Sequence, residues 1–129
     1  MSVIERLWQA SQLPIEDGVF FTDGRSYAVE VVGSALRAVE EVDLAEAPEW
    51  RTSIDITVEA PAPGGFVYAG EGSHGSEGFF ARLDGHRRLV WVCYLSESNP
   101  FDRLTLGGTT LTASSTSGMV ITVDLDEPV

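Results

Sequence analysis

Apolar and polar residues alternate with a period of two along most of the chain, and only near the start does the spacing become helical. Residues 2 to 11 put Ile4, Leu7 and Trp8 on one helical face. Ser2 stands at the N-cap with Glu5 three residues on, a spacing at which both side chains can satisfy backbone N–H groups that a first turn leaves free. Pro14 is expected to end this helix. Val19-Phe20-Phe21, an Asp23-Gly24 turn and residues 27 to 32 predict a β-hairpin, with Tyr27, Val29 and Val31 on one face and Glu30 on the other. Residues 35 to 44 fit two patterns. Ala35, Leu36, Ala38, Val39 and Val42 form a helical stripe, whereas Leu36, Ala38, Val42 and Leu44 form a strand face interrupted at Glu40; the position between clear strands favours the strand.

Ser53 to Glu59 alternates without error, which predicts a half-buried strand with Ile54, Ile56 and Val58 inward and Asp55, Thr57 and Glu59 toward water. Pro61-Ala-Pro63-Gly-Gly65 is expected to break it, because proline cannot donate to a ladder. Short strands are then predicted at 66–70, 78–83, 88–95, 103–106, 109–114 and 119–125, with hairpin-type connections at Asp84-Gly85 and Gly107-Gly108. Leu89 to Leu95 is apolar on both faces, as a central strand covered on both sides would be. Met119, Ile121, Val123 and Leu125 alternate with Thr122 and Asp124, as in a closing strand near an edge. The expected fold is mainly β, with α+β as the variant: an antiparallel sheet or sandwich with a short N-terminal helix, in a single domain over residues 1–129.

Composition changes this picture in one respect, the charge. Twenty acidic residues face eight basic ones, all arginine, for a net charge of −12. Such a chain repels phosphate backbones and attracts basic proteins, so a protein partner is favoured over direct nucleic-acid binding. Arginine without lysine, in a chain rich in alanine, glycine and valine, fits a GC-rich bacterial gene. Cys93 is the only cysteine and lies in an apolar run, so it reads as a small hydrophobe. The first residues show no basic flank followed by an apolar stretch, and no apolar run reaches the roughly 18 residues of a membrane span. The cytoplasm is the expected compartment, with no membrane association.

Catalytic, metal and cofactor chemistry each lack a constellation. The glycine-rich stretch Tyr68 to Gly78 reads as a loop between strands, but a strand follows it, lysine is absent, and Glu71 and Glu77 would repel a phosphate. His74, His86 and Cys93 offer no obvious further ligands for a metal. Ser73 and His74 are adjacent, which turns their side chains apart, and the apolar neighbours of Cys93 would raise its thiol pKa. No motif singles out a carboxylate pair for glycoside hydrolysis. Ser98-Asn-Pro-Phe101 reads as turn scaffolding, with Phe101 folding back onto the core. The run from Glu40 to Trp50 is different in kind: its carboxylates offer an acidic surface ending in an aromatic anchor, the combination that steers encounter and then holds a complex.

Gly70-Glu-Gly-Ser-His-Gly-Ser-Glu-Gly-Phe79, the later Asp-Gly turn, Leu89-Val-Trp91, Ser98-Asn-Pro-Phe101 and the terminal Asp-Glu-Pro128 together resemble small bacterial proteins of the polymorphic-toxin immunity type. The resemblance covers roughly residues 66 to 128 and implies a cytoplasmic antidote that binds a cognate toxin domain and blocks its active site or substrate groove. The partner surface then expected comprises Glu40, Glu41, Asp43, Glu46 and Glu49, anchored by Trp50, with Glu71 and His74 in the glycine-rich stretch. Two readings compete with it. One is a small ligand-binding or enzymatic β domain with a pocket lined by carboxylates and His74 or His86; the other is an adaptor that oligomerises through strand edges.

Overall fold

The computed structural model describes residues 1–44 and 48–129. One short helix, α1 (Val3–Gln9), precedes eleven strands: β1 (Gln12–Pro14), β2 (Gly18–Phe21), β3 (Ser26–Val32), β4 (Ala35–Glu41), β5 (Arg51–Ala62), β6 (Gly65–Gly72), β7 (Gly78–Asp84), β8 (Leu89–Leu95), β9 (Phe101–Gly107), β10 (Thr110–Ser115) and β11 (Val120–Asp124). The first eight strands form one sheet in the order β1-β5-β6-β7-β8-β2-β3-β4, and the last three form a second in the order β11-β10-β9. Neighbouring strands run antiparallel throughout. The mainly β architecture with an N-terminal helix is therefore as expected. No helix among the described residues is long and apolar enough to cross a membrane.

The capping box forms: the Ser2 hydroxyl accepts from Glu5 N, and the Glu5 carboxylate accepts from Ser2 N at 3.2 Å. Ile4 and Leu7 are buried beneath the helix. Pro14 does not end the helix, as the sequence suggested. The chain has already left helical geometry at Ser11, whose φ is +55°, and Pro14 lies in edge strand β1, where a missing N–H costs little.

The large sheet is covered on both faces, and each cover builds its own core. On one face the three-stranded sheet buries Val19, Phe80, Trp91 and Cys93 against Phe101, Leu111, Ala113 and Ile121. On the other, α1 brings Ile4 against Leu13, Phe20, Phe79, Val92 and Tyr94. Strand β8 faces both layers near the middle of the strand order, which explains its unbroken apolar sequence. Pro100 delivers Phe101 to the core, where its ring meets Phe80 edge-on at 5.1 Å between centroids.

Four strand pairs contain a register shift, and two of these shifts explain departures from the simple alternation. In β5 the pairing with β6 shifts between Ile56 and Val58, so Thr57 is an extra residue in a β-bulge. The bulge reverses parity: Ile54 belongs to the helix-side core, Val58, Ala60 and Ala62 pack toward the other, and Ile56 is left 44% exposed. The predicted single inward face Ile54-Ile56-Val58 is thus incorrect. The strand also does not stop before Pro61, which pairs with Phe66. It can continue there because β1 flanks β5 only along Arg51–Ser53, leaving the far side of Pro61 an open edge. In β4 a second shift leaves Val39 as the extra residue, since Ala28 pairs with Glu40 and Val29 with Ala38. This resolves residues 35 to 44 in favour of a strand and accounts for the interruption at Glu40. Leu36 packs on one core, and Val42 and Leu44, beyond the strand's end, pack on the other.

The connection from β4 to β5 leads from one edge of the large sheet to the strand next to the opposite edge. Val42 anchors its start, donating its N–H to Ser26 O at 2.9 Å.

Candidate binding surface

The described acids of the run fall on two elements. Glu40 and Glu41 are exposed at the end of β4, the outermost strand, and Asp43 is exposed just after it. Glu49 and Trp50 lie at the entry to β5, six places away in the strand order, yet Asp43 and Arg51, the residue after Trp50, both border Val3 of α1. Glu46 lies outside the described residues. Trp50 is 72% exposed, the most solvent-accessible large hydrophobic side chain after Met1 among the described residues. Its backbone is fixed all the same, because Trp50 O accepts from Ile15 N at 3.0 Å and the next residues pair with β1.

The second half of the expected surface, Glu71 and His74, lies at the end of β6 and in the turn after it, where Ser73 reaches Thr52, two residues beyond Trp50. Residues 70 to 72 are not loop, as the sequence suggested, but the end of β6, and the turn proper is only 73–77. Glu71 pairs with Asp55 across β5 and β6. Gly70 and Gly72 are required by close approach: a Cβ at Gly70 would collide with the Asp55 carbonyl, and one at Gly72 with the Glu77 carboxylate. The glycines therefore serve packing within a sheet rather than an open anion cradle.

A residue that sequence reasoning treated only as a repelling charge organises this turn. Glu77 is 3% exposed. Its Oε1 accepts from Thr52 Oγ1 at 3.0 Å, from His74 N at 2.8 Å and from His74 Nδ1 at 3.1 Å, and its Oε2 accepts from the Tyr94 hydroxyl. Hydrogen-bond capacity then fixes the rest. Thr52 gives its single hydroxyl hydrogen to Glu77, so the 2.7 Å contact between Thr52 Oγ1 and Ser73 Oγ has serine as donor. Thr52 Oγ1 also accepts from Ser73 N at 3.1 Å. A carboxylate at Nδ1 places the His74 proton there, leaving Nε2 as the outward nitrogen of an imidazole that is 73% exposed.

The electrostatics follow from these contacts. Burial pushes the Glu77 pKa up, but hydrogen bonds from Tyr94, His74 and Thr52 outweigh it and hold the carboxyl below its usual range. Burial, and then the hydrogen bond to Glu77, push the Tyr94 phenol far up. Cys93 is fully enclosed and its thiol is pushed far up, first by burial and then by the nearby charge of Asp17. The turn presents a tautomer-fixed imidazole, and the Ser73 hydroxyl is directed at Thr52.

Two signals could have exposed Glu77: glycines on both sides of the segment, and an acid three residues after His74, at the reach needed to accept that residue's N–H. His86 lies in a separate turn, where its N–H is held by Asp84 at 2.8 Å. Among the described residues no three His, Cys, Asp or Glu side chains are grouped as a metal would need. The chain matches no protein-family model, no curated protein and no solved structure.

Proposed function

We propose that this protein is a macromolecule-binding domain of the toxin-immunity type, which neutralises a basic cognate toxin domain in the cytoplasm by occluding its active site or substrate groove. The observation that carries the reading is Trp50: a bulky aromatic side chain 72% exposed on backbone tied to Ile15 and followed directly by the pairing with β1. Tryptophan is the residue type most enriched at binding hot spots, and a pre-ordered anchor avoids much of the ordering cost of association. Glu49 precedes it, Glu71 and His74 lie at the end of β6 and in the turn whose Ser73 reaches Thr52, and the charge of −12 favours rapid encounter with a basic partner. Asp43 borders Val3 of α1, as does Arg51 beside Trp50, so Glu40, Glu41 and Asp43 would extend the acidic surface past the helix.

The test is co-expression with a toxin encoded beside it, and capture of that toxin at low and high salt. Protection, with capture that weakens as salt rises, is expected. Trp50→Ala should weaken capture by roughly 30-fold, the effect of losing about 2 kcal/mol. No protection and no capture at either salt would end the proposal.

One feature favours the ligand-binding reading. A cavity of about 300 Å³ opens between the ends of the two sheets and is lined by Asp23, Asp84 and Asp126 with Arg25 and Arg82. Two of those carboxylates already have occupation, Asp23 with Arg25 at 2.9 Å and Asp84 with the N–H groups of His86 and Arg88. Arg82 is not occupied in this way: among the described residues it has no ion pair, and its buried Nη1 has no hydrogen-bond partner.

A further inference from the structure

The eight arginines divide unequally. Arg25 pairs with Asp23, Arg37 with Glu30 and Arg88 with Asp84. Arg87 donates to the Tyr68 hydroxyl at 2.6 Å and lies over the Phe66 ring, and Arg82 donates to Pro63 O. Among the described residues Arg6, Arg51 and Arg103 have neither an ion pair nor a side-chain hydrogen bond. Two of these three line one cavity of about 190 Å³, formed by Val3, Arg6, Leu7, Ala10, Gln12 and Arg51.

That convergence is unusual for a chain with twenty acids. Like charges sharing a depression repel, and no carboxylate lines this one. Residues 3, 6, 7 and 10 recur at helical spacing, so α1 supplies an apolar floor from Val3, Leu7 and Ala10 with Arg6 on the same side. β5 supplies Arg51 and β1 supplies the Gln12 amide.

From this we propose that the cavity is a recognition subsite for a glutamate side chain of the partner protein. The inference rests on the partner-binding reading above and places one contact within it, since Arg51 directly follows Trp50. Three arguments select this occupant. The volume is below the roughly 300–1,000 Å³ of ordinary small-molecule pockets but fits one side chain. Planar guanidinium groups match a carboxylate bidentately, while the apolar floor takes methylene groups. A polyanion is excluded by the surrounding field, whereas a lone carboxylate on a basic surface is not. An acidic protein with one cationic depression thereby rejects basic surfaces that lack an acid in register, which is how charge pattern confers partner choice.

The experiment uses the whole protein, ¹⁵N-labelled, titrated with N-acetyl-glutamate α-amide. Saturable amide shifts confined to residues 3–12 and 51 are expected, with a Kd of about a few millimolar. The matched glutamine compound, and the Arg6→Ala/Arg51→Ala variant titrated with the glutamate probe, should each bind at least about tenfold more weakly, with Arg→Lys variants between. Added salt should weaken the interaction. Both arginines are solvent-facing, and the variant's own spectrum reports whether it folds; an unfolded double variant transfers the comparison to the single Lys variants. No localised saturation, or an equal response to the glutamine compound, overturns the proposal. Inorganic phosphate binding more tightly at the same residues also overturns it, in favour of a phosphorylated ligand. A null titration leaves the toxin-protection assay unaffected, so the two failures are distinguishable.

Discussion

Removal of the Glu77 carboxylate is the perturbation whose effect follows most directly from geometry. Glu77→Ala leaves the hydroxyls of Tyr94 and Thr52 without their acceptor in a region that water barely reaches. Each orphaned buried group costs about 1–3 kcal/mol, while His74, largely exposed, can turn to solvent. Thr52 recovers part of its loss through a 3.3 Å contact with Ser53 O, so a total of about 3–4 kcal/mol is expected. For a chain of this length that corresponds to a fall in Tm of about 10–15 °C. Glu77→Gln keeps the shape and loses only charge assistance, so about 1–2 kcal/mol. Tyr94→Phe leaves a buried carboxylate oxygen without its donor, about 2–3 kcal/mol. The Gln/Phe double variant should cost clearly less than the sum of the two single changes.

Urea unfolding followed by tryptophan fluorescence reads all four, and pH supplies a further check. The folded pKa of Glu77 lies below its unfolded value, near 4.3. Its contribution is therefore fully present above that pH and is lost as pH falls through the folded pKa. The gap between wild type and Glu77→Gln should be constant at neutral pH and should shrink in acid below about pH 4. An alanine variant within about 1 kcal/mol of wild type, or strictly additive single changes, would refute the account.

Other outcomes follow from the same structure. Gly70→Ala should destabilise by about 2–4 kcal/mol in urea unfolding, because the added methyl meets strand backbone, whereas Gly107→Ala, with open space around it, should be neutral or slightly stabilising. Tyr94 and Cys93 keep their protons in the folded state to higher pH than in the unfolded chain, so stability should begin to fall above about pH 9, where the unfolded state ionises first; Tyr94→Phe should blunt the fall. Trp50→Ala should change thermal stability by less than about 0.5 kcal/mol, separating its role in binding from any role in folding.

The mainly β fold, the helix cap, the hairpin turns at Asp23-Gly24, Asp84-Gly85 and Gly107-Gly108 and the doubly covered strand β8 were legible, since each depends on local periodicity or local hydrogen-bond chemistry. What was not legible depends on pairing across the sheet. Nothing in the sequence around Thr57 or Val39 announces a bulge, because the extra residue is defined only by what stands opposite it. The Glu77 centre was hidden in the same way. Its partners Thr52 and Tyr94 come from β5 and β8, and a glutamate among glycines and serines reads as exposed until those strands enclose it. The acid run was visible as composition, but its assignment to two strands far apart in the strand order, which meet again at Val3 of α1, followed from pairing that alternation does not encode. The arginine pair required the helix to lie against the first strands before two distant cations could share a depression.

The bulge at Thr57 also sets a rule of length. With the extra residue in place, one strand feeds both hydrophobic layers, Ile54 to one and Val58, Ala60 and Ala62 to the other. If Thr57 instead took the place opposite Ala69 in a regular ladder, the three apolar side chains after it would turn to the wrong side of the sheet, whereas a chain without Thr57 keeps them in place, because Val58 then follows Ile56 directly opposite Ala69. The strand can therefore lose a residue at Thr57, where the ladder already skips one, far more freely than within its paired run.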